Sequence, residues 1–156
     1  YRTRFLRAQD LDLWLRLSVV GKLGAVPDFL VRHRLHEGQV SHWKGGRPRI
    51  IYSKAAVISY WLRQKGLKDP ISGQEEEFRE FLDWIDCQLT RDKTWEYLEF
   101  VSDLKARMNQ SQANLALFRL LAGAISQPAF FMRLVRKRYG VDDWPQRAAQ
   151  VWAKRV

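Results

Sequence analysis

Apolar residues recur at helical spacing through most of the chain after residue 48. Three successive sets are each spaced by three or four positions: Ile51, Ala55, Ile58 and Leu62; Phe78, Leu82, Ile85 and Leu89; and Trp95, Leu98, Val101 and Leu104. Such spacing gathers each set on one face of a helix. The pattern therefore predicts three amphipathic helices that bury these faces against one another.

The rest of this region continues the helical pattern. Residues 111–125 and 128–138 each indicate a further helix, and the tail from Pro145 indicates a last short one. We therefore predict a bundle of about five helices. Tryptophans at apolar helical positions are usually core residues, although such rings can also stack on sugars or bases. The tryptophans predicted to lie in the core are Trp61, Trp84 and Trp95.

Charge is distributed unevenly along the chain. The net charge is +10, and Lys and Arg exceed Asp and Glu in residues 1–70 and 111–156, whereas residues 71–110 are acidic. A basic surface attracts the phosphates of nucleic acids, anionic lipids or an activated substrate. The alternative is that the acidic segment packs beside its basic flanks and leaves only a solvated excess.

Cysteine content and the chain start bear on the cellular setting. Cys87 is the one cysteine, which excludes an internal disulfide and favours a reducing, cytoplasmic compartment. No uninterrupted apolar stretch reaches the roughly 18 residues that a spanning helix needs. The chain opens with Tyr1 and its first methionine is Met108, so we expect a piece of a longer protein.

The first forty residues differ from the helical remainder. A largely apolar helix is predicted over 11–20, capped by Asp10 or Asp12, and we expect it to be buried. Arg16 within it is expected to pair with a buried acid or carbonyl group. Residues 29–36 alternate between apolar and basic side chains, which predicts a strand. The segment 43–48 then indicates a boundary loop.

Four short motifs in this region occur in register. They are Ala8–Leu17 with the sequence AQDLDLWLRL, Gly21-Lys22, Val26–Leu30 with the sequence VPDFL, and Arg34–Ser41 with the sequence RLHEGQVS. Their order and spacing resemble the C-terminal part of the catalytic domain of family 2 glycosyltransferases, which are inverting enzymes of the GT-A fold. The resemblance covers residues 1–42, and the helical remainder is similar only in being an extension of the kind these enzymes carry.

The resemblance implies a two-part organisation. Residues 1–44 would be the C-terminal segment of a GT-A catalytic domain whose nucleotide-binding half is missing, and residues 49–156 a helical C-terminal extension. The expected fold class is α+β and mainly α. In this organisation a short helix and a β-hairpin from the end of the GT-A domain precede the bundle of about five helices.

Asp10 is the candidate catalytic residue. Inverting transfer needs a carboxylate that takes the proton of the acceptor hydroxyl as its oxygen attacks the anomeric carbon. Asp10 occupies the family position of that base, although an Asp before an apolar helix can also be a simple cap. Gln9 stands where the family has Glu, so an auxiliary acidic role is in doubt. The triplet Asp10-Leu11-Asp12 looks like a metal-binding D-x-D, but the Leu-Trp-Leu-Arg that follows belongs to the later acidic motif.

Arg34 and His36 are the candidate donor-binding residues. They share one face of the predicted strand, and an imidazole beside a guanidinium group suits a diphosphate or its metal. The corresponding family His lies near the donor diphosphate, so His36 is also a candidate metal ligand. The resemblance implies Mg or Mn, held mainly by a D-x-D motif that this chain lacks. His33 is predicted to pack on the apolar face.

The expected function is transfer of a hexosyl-type sugar from a nucleotide-diphospho-sugar to a hydroxyl of a glycan or lipid-linked acceptor, with inversion. The chain alone is expected to be inactive. Its location would be cytoplasmic or peripheral at the cytoplasmic membrane face, where basic helices suit anionic lipid. The alternative is a non-enzymatic basic helical module that binds nucleic acid, a membrane surface or a protein. Charge alone supports it, and nucleic acid is disfavoured because no zinc, helix-turn-helix or RNA-binding motif is present.

Overall fold

The described part of the chain is helical. A computed structural model describes residues 1–32, 46–96, 98–100 and 143–155. The helices are α1 (Gln9–Val20), α2 (Gly46–Gln64), a 3-10 turn at Pro70–Ser72, α3 (Glu75–Arg91) and α4 (Trp144–Ala153). Residues 94–96 and 98–100 are also helical. The chain forms two compact units, one of Tyr1–Ile85 with Trp144–Val156 and the other of Asp86–Asp143.

Helix α2 is central to the first unit. Both α1 and α4 pack against it, and its buried face consists of Ala55, Ala56, Ile58, Ser59 and Leu62. This face includes Ala55, Ile58 and Leu62 of the set predicted from the spacing, because positions three and four apart lie on one side of a helix, whereas Ile51 of that set is half-buried. The short alanines let neighbouring elements approach α2 closely.

An aromatic cluster joins the last helix to α3. The ring centroid of Trp152 in α4 lies 4.8 Å from that of Phe81 and 5.1 Å from that of Trp84. Phe81 and Trp84 are themselves stacked. All three side chains are buried, which confirms the predicted core position of Trp84 and the predicted helix in the tail. Trp61 and Trp95 are only half-buried.

The segment that precedes α1 is held by Phe5. Its buried ring meets Tyr52 of α2 edge-on at 5.5 Å and stacks on Phe78 of α3 at 6.1 Å. Aromatic pairs in these geometries add to the free energy that area burial supplies. The chain start is therefore packed against α2 and α3 before α1 begins.

Helix α1 forms as predicted but is not buried. Its single buried side chain is Asp12, and the apolar residues Trp14 and Val20 are 54% and 81% exposed. The expectation of a buried helix is therefore wrong. Composition indicated burial, but the one fully buried side chain of α1 is the polar Asp12, and much of the apolar surface of this helix stays uncovered.

The predicted β-hairpin finds no support. Residues 29–32 of the expected strand are exposed and form no strand, and no strand occurs elsewhere in 1–32, 46–96, 98–100 or 143–155. An extended segment needs a hydrogen-bonded neighbour to become a strand, and the described residues offer it none. Positions 33–36 of the expected strand lie outside the described residues.

Helix α2 begins earlier than the sequence indicated. Residues 46–48 were expected in the boundary loop but form the first turn of α2, where Pro48 is tolerated because that turn has no intrahelical partner for its N–H groups. The boundary between 44 and 49 stays a prediction, and residues 1–32 and 46–85 on its two sides belong to one compact unit. The helices predicted at 111–125 and 128–138 lie outside the described ranges. Among the residues that the structure describes, no helix is long and apolar enough to cross a membrane.

Candidate functional site

Asp10 lies in the first turn of α1 with its side chain exposed. Its Oδ1 accepts a hydrogen bond of 2.8 Å from the backbone N–H of Leu11. The residue that caps the helix is Ala8, in the left-handed conformation at φ 55° and without a side-chain cap bond. The predicted capping by Asp10 or Asp12 is therefore wrong. Within the described ranges Asp10 forms no ion pair, so its second carboxylate oxygen remains open to solvent.

Asp12, two positions later, has the opposite surroundings. Its carboxylate is 1% exposed and accepts hydrogen bonds from both Nε and Nη2 of Arg2, the former at 3.0 Å. Arg16, one turn further along α1, donates from Nε at 3.2 Å. This pairing confirms the predicted role of Arg16. Burial by itself would raise the pKa of Asp12, but hydrogen bonds and charge from Arg2 and Arg16 outweigh it and lower that pKa.

Asp69 forms the second half of the same cluster. Nη1 of Arg2 donates to Asp69 Oδ2 at 2.7 Å, so one guanidinium bridges two carboxylates. The hydroxyl of Ser59 in α2 donates to Asp69 Oδ1 at 2.7 Å, and Arg63 Nη1 lies 3.5 Å from Oδ2. We call Arg2, Asp12, Arg16, Ser59, Arg63 and Asp69 the ionic cluster. It links the chain start, α1, α2 and the turn before α3.

The ionic cluster holds three guanidinium groups and two carboxylates. The pKa of Arg63 is lowered, first by burial and then by the positive charges of Arg2 and Arg16. The negative charges of Asp69 and Asp12 oppose this shift but do not cancel it, as expected for a cluster with an excess of positive charge. For Arg2, burial also favours the neutral form, but its bonds to Asp12 and its closeness to Asp69 dominate and raise the pKa. Arg2 is therefore the best-paired cation of the cluster.

The low pKa of Asp12 makes stability depend on pH in the acid range. The folded-state pKa of Asp12 lies below the ordinary value of 3.8. The ion pairs of Asp12 therefore stabilise the fold fully at pH values above 3.8, and this contribution is lost as the pH falls through the folded-state pKa. We expect Asp12→Asn to lower the free energy of unfolding by a constant amount above about pH 5 and by less below pH 3.8. Urea denaturation at several pH values measures this difference. A difference independent of pH down to pH 2 would contradict the assignment.

The described residues do not assemble a metal centre. No group of three or more His, Cys, Asp or Glu side chains that could hold a metal ion occurs within them. Asp12 of the D-x-D look-alike is enclosed by Arg2 and Arg16, which occupy the carboxylate oxygens that a metal would need. The described residues therefore supply no metal site of their own, and the implied Mg or Mn, assigned mainly to a D-x-D motif outside this chain, stays a prediction. Arg34 and His36 lie outside the described residues, as does His33.

Sequence reasoning missed most of the ionic cluster. Arg2 and Asp69 are 67 positions apart, and no periodicity or motif connects one of the three Arg residues at the chain start with an Asp in a turn. The available local signal was the spacing of Asp12 and Arg16, which places them on one helix face. The cluster matters to the candidate site because it encloses Asp12, two residues from Asp10.

A shallow cleft of about 370 Å³ lies on another part of the first unit. Thr3, Arg4, Tyr52, Glu75 and Arg79 supply its polar lining. Burial and the nearby Glu75 raise the pKa of the Tyr52 hydroxyl, so this group stays protonated at neutral pH. Asp10, the predicted site residue within the described ranges, does not line the cleft.

Comparison with known proteins adds no identification. No known protein family, no curated protein and no solved structure matches the chain.

Proposed function

We propose that the chain is the acceptor-side segment of an inverting family 2 glycosyltransferase with Asp10 as its general base. The observation that carries the proposal is the succession of four motifs in register between Ala8 and Ser41. The exposure of Asp10, next to the fully paired Asp12, supports the division of roles between the two carboxylates. A base must reach a substrate proton, whereas a buried and ion-paired carboxylate cannot.

The proposed reaction transfers one sugar. The acceptor hydroxyl oxygen forms a bond to the anomeric carbon from the face opposite the leaving group, and the bond from that carbon to the nucleotide diphosphate breaks. The hydroxyl proton passes to the free carboxylate oxygen of Asp10. Placement on the first turn of a helix restricts the carboxylate to a narrow range of positions, which favours a productive approach.

Donor binding is proposed to involve Arg34 and His36. A guanidinium and an imidazole both provide hydrogen bonds to phosphate oxygens. When bound, a divalent metal such as Mg or Mn would neutralise charge on the leaving diphosphate. Its ligands would come mainly from a D-x-D motif outside this chain, with His36 as a further candidate.

Replacement of His36 by Ala should weaken donor binding in the full-length protein. Loss of a hydrogen bond to a charged group typically corresponds to about a ten- to hundredfold rise in the dissociation constant. Calorimetric titration with the nucleotide-sugar measures it. The matched control is His33→Ala, since His33 is predicted on the opposite face of the same segment and should leave the dissociation constant unchanged. Equal effects of the two substitutions would remove His36 from the donor site.

The acceptor is proposed to be a glycan or a lipid-linked glycan at the cytoplasmic face of a membrane. A basic group of Arg133, Arg136, Lys137 and Arg138 would suit anionic headgroups. These four residues lie outside the described part of the chain. Peripheral association is the form of membrane contact that this proposal requires.

A transfer assay on the full-length protein tests the proposal. Incubation with nucleotide-diphospho-sugars and hydroxyl acceptors should release a nucleoside diphosphate and form a glycoside, whose anomeric configuration NMR can assign. Inversion is expected. A retained configuration would contradict inversion with Asp10 as the single base. Absence of glycoside formation, or a coding region upstream of Tyr1 that encodes no nucleotide-binding half with a D-x-D, would favour the alternative of a basic helical binding module.

A further inference from the structure

We propose that Arg2 and Asp69 are positioning residues, which hold the first turn of α1, and with it Asp10, against α2. The functional part of this inference rests on the proposed function. Neither residue belongs to the motifs that suggested that function, and Asp69 lies within the helical extension. The juxtaposition of the ionic cluster with the candidate base carries the inference.

Helix α1 is attached to the first unit largely through Asp12. Asp12 is the one buried side chain of this helix, while Trp14, Leu17 and Val20 remain exposed. An apolar helix normally docks through its apolar face, so its position depends on many weak contacts. In α1 the one fully buried side chain is a carboxylate, beside the half-buried Leu11, Leu13 and Leu15, so the partners of Asp12 help to fix where the helix lies.

Arg2 connects Asp12 to α2 through Asp69, which binds Ser59 of that helix. Arg2 donates hydrogen bonds from Nε and Nη2 to the two carboxylate oxygens of Asp12. Its remaining terminal nitrogen, Nη1, donates to Oδ2 of Asp69 at 2.7 Å. Asp69 is in turn fixed by the Ser59 hydroxyl and by the backbone N–H of Ile71 at 3.0 Å. The planar guanidinium sets both distance and angle between the carboxylates, which a single-point cation such as Lys cannot do.

Asp10 lies two residues from Asp12 on the same helical turn. A shift of Asp12 by one ångström therefore moves the Asp10 carboxylate by a comparable distance. Misplacement on this scale can cost about a hundredfold in rate for a positioned catalytic group. The ionic cluster thus acts on the proposed reaction through the location of Asp10 and not through its own contact with substrate.

Hydrogen exchange tests the attachment itself on the 156-residue chain. In Asp69→Asn the amide oxygen still accepts from Ser59, but the bridge loses its charge, and in Arg2→Lys the charge stays but the two-carboxylate geometry is lost. We expect each variant to accelerate exchange of α1 amides about tenfold or more, with α4 unchanged. The control Lys68→Gln breaks the exposed pair with Glu77, at 2.7 Å, and should leave α1 exchange as it is. Unchanged α1 exchange in both bridge variants would overturn the inference.

Kinetics of the full-length protein test the action through Asp10. Asp69→Asn should lower kcat about ten- to hundredfold while KM for the donor stays constant. In an Asp10→Asn background the same change should lower kcat less than about threefold, because the group that it positions is gone. Effects that multiply in full would indicate a purely structural role and overturn the positioning. If Asp10→Asn alone retains activity, the proposed function fails, and the exchange result still decides whether the bridge holds α1.

Discussion

Replacement of Asp10 by Asn in the full-length protein should lower the rate of sugar transfer about a hundred- to ten-thousand-fold, the usual contribution of a positioned general base. Asn has nearly the same volume, and its amide oxygen can still accept the hydrogen bond from the Leu11 N–H. The variant therefore loses the proton acceptor and little else. Initial rates at saturating donor and acceptor measure the loss, and donor affinity should stay within about threefold of the parent because Asp10 serves the acceptor side.

Asp83→Asn is the matched control for this experiment. Asp83 is also an exposed aspartate on a helix, but it lies on α3 and in none of the four motifs. Its replacement should leave transfer unchanged. If Asp10→Asn keeps its rate within about threefold of the parent, well short of a general-base effect, Asp10 is not the base and the catalytic assignment fails.

Trp152→Ala should lower the free energy of unfolding by about 3–5 kcal/mol, as large-to-small replacements of buried aromatic residues commonly do. The side chain is 4% exposed and contacts Phe81 and Trp84 on α3. Truncation leaves a cavity between α4 and these rings and removes both aromatic contacts. Urea denaturation followed by far-UV circular dichroism measures the change.

The neighbouring residue provides the comparison. Val151 lies in the same helix but is 50% exposed, so Val151→Ala should change the free energy of unfolding by no more than about 0.5 kcal/mol. A small effect at both positions would mean that α4 contributes little to the first unit. A large effect at both would point to loss of helix α4 itself and not of the aromatic contacts.

The helices were predictable because their signal is local. Ala55, Ile58 and Leu62 fall on one face by spacing alone, and that face is the buried side of α2. The pairing of Arg16 was predictable for the same reason, since a cation within an apolar helix needs an anionic partner, and Asp12 lies one turn away. In both cases every interacting position lies within a few residues of the others.

Features that depend on distant partners could not be predicted. Apolar composition indicated a buried α1, but burial is decided by what lies across from a helix. Here Arg2, which Asp69 also binds, pairs with the buried Asp12, while Trp14 faces solvent. The strand over 29–36 failed at 29–32 for a related reason, because alternation describes a surface and not the neighbour that would complete a sheet. The exposed carboxylate of Asp10 is consistent with the motif that singled it out, while its role remains to be measured.

The discontinuity of the first unit affects the order in which it can be completed during synthesis. Phe81 and Trp84 are synthesised well before Trp152, which packs against them from about 70 residues further along the chain. At a synthesis rate of about 5–20 residues per second, roughly 3–14 s pass between the synthesis of these two residues and that of Trp152. During that interval the nascent chain exposes the Phe81 and Trp84 rings that α4 later covers, and exposed apolar surface of this kind favours misassociation.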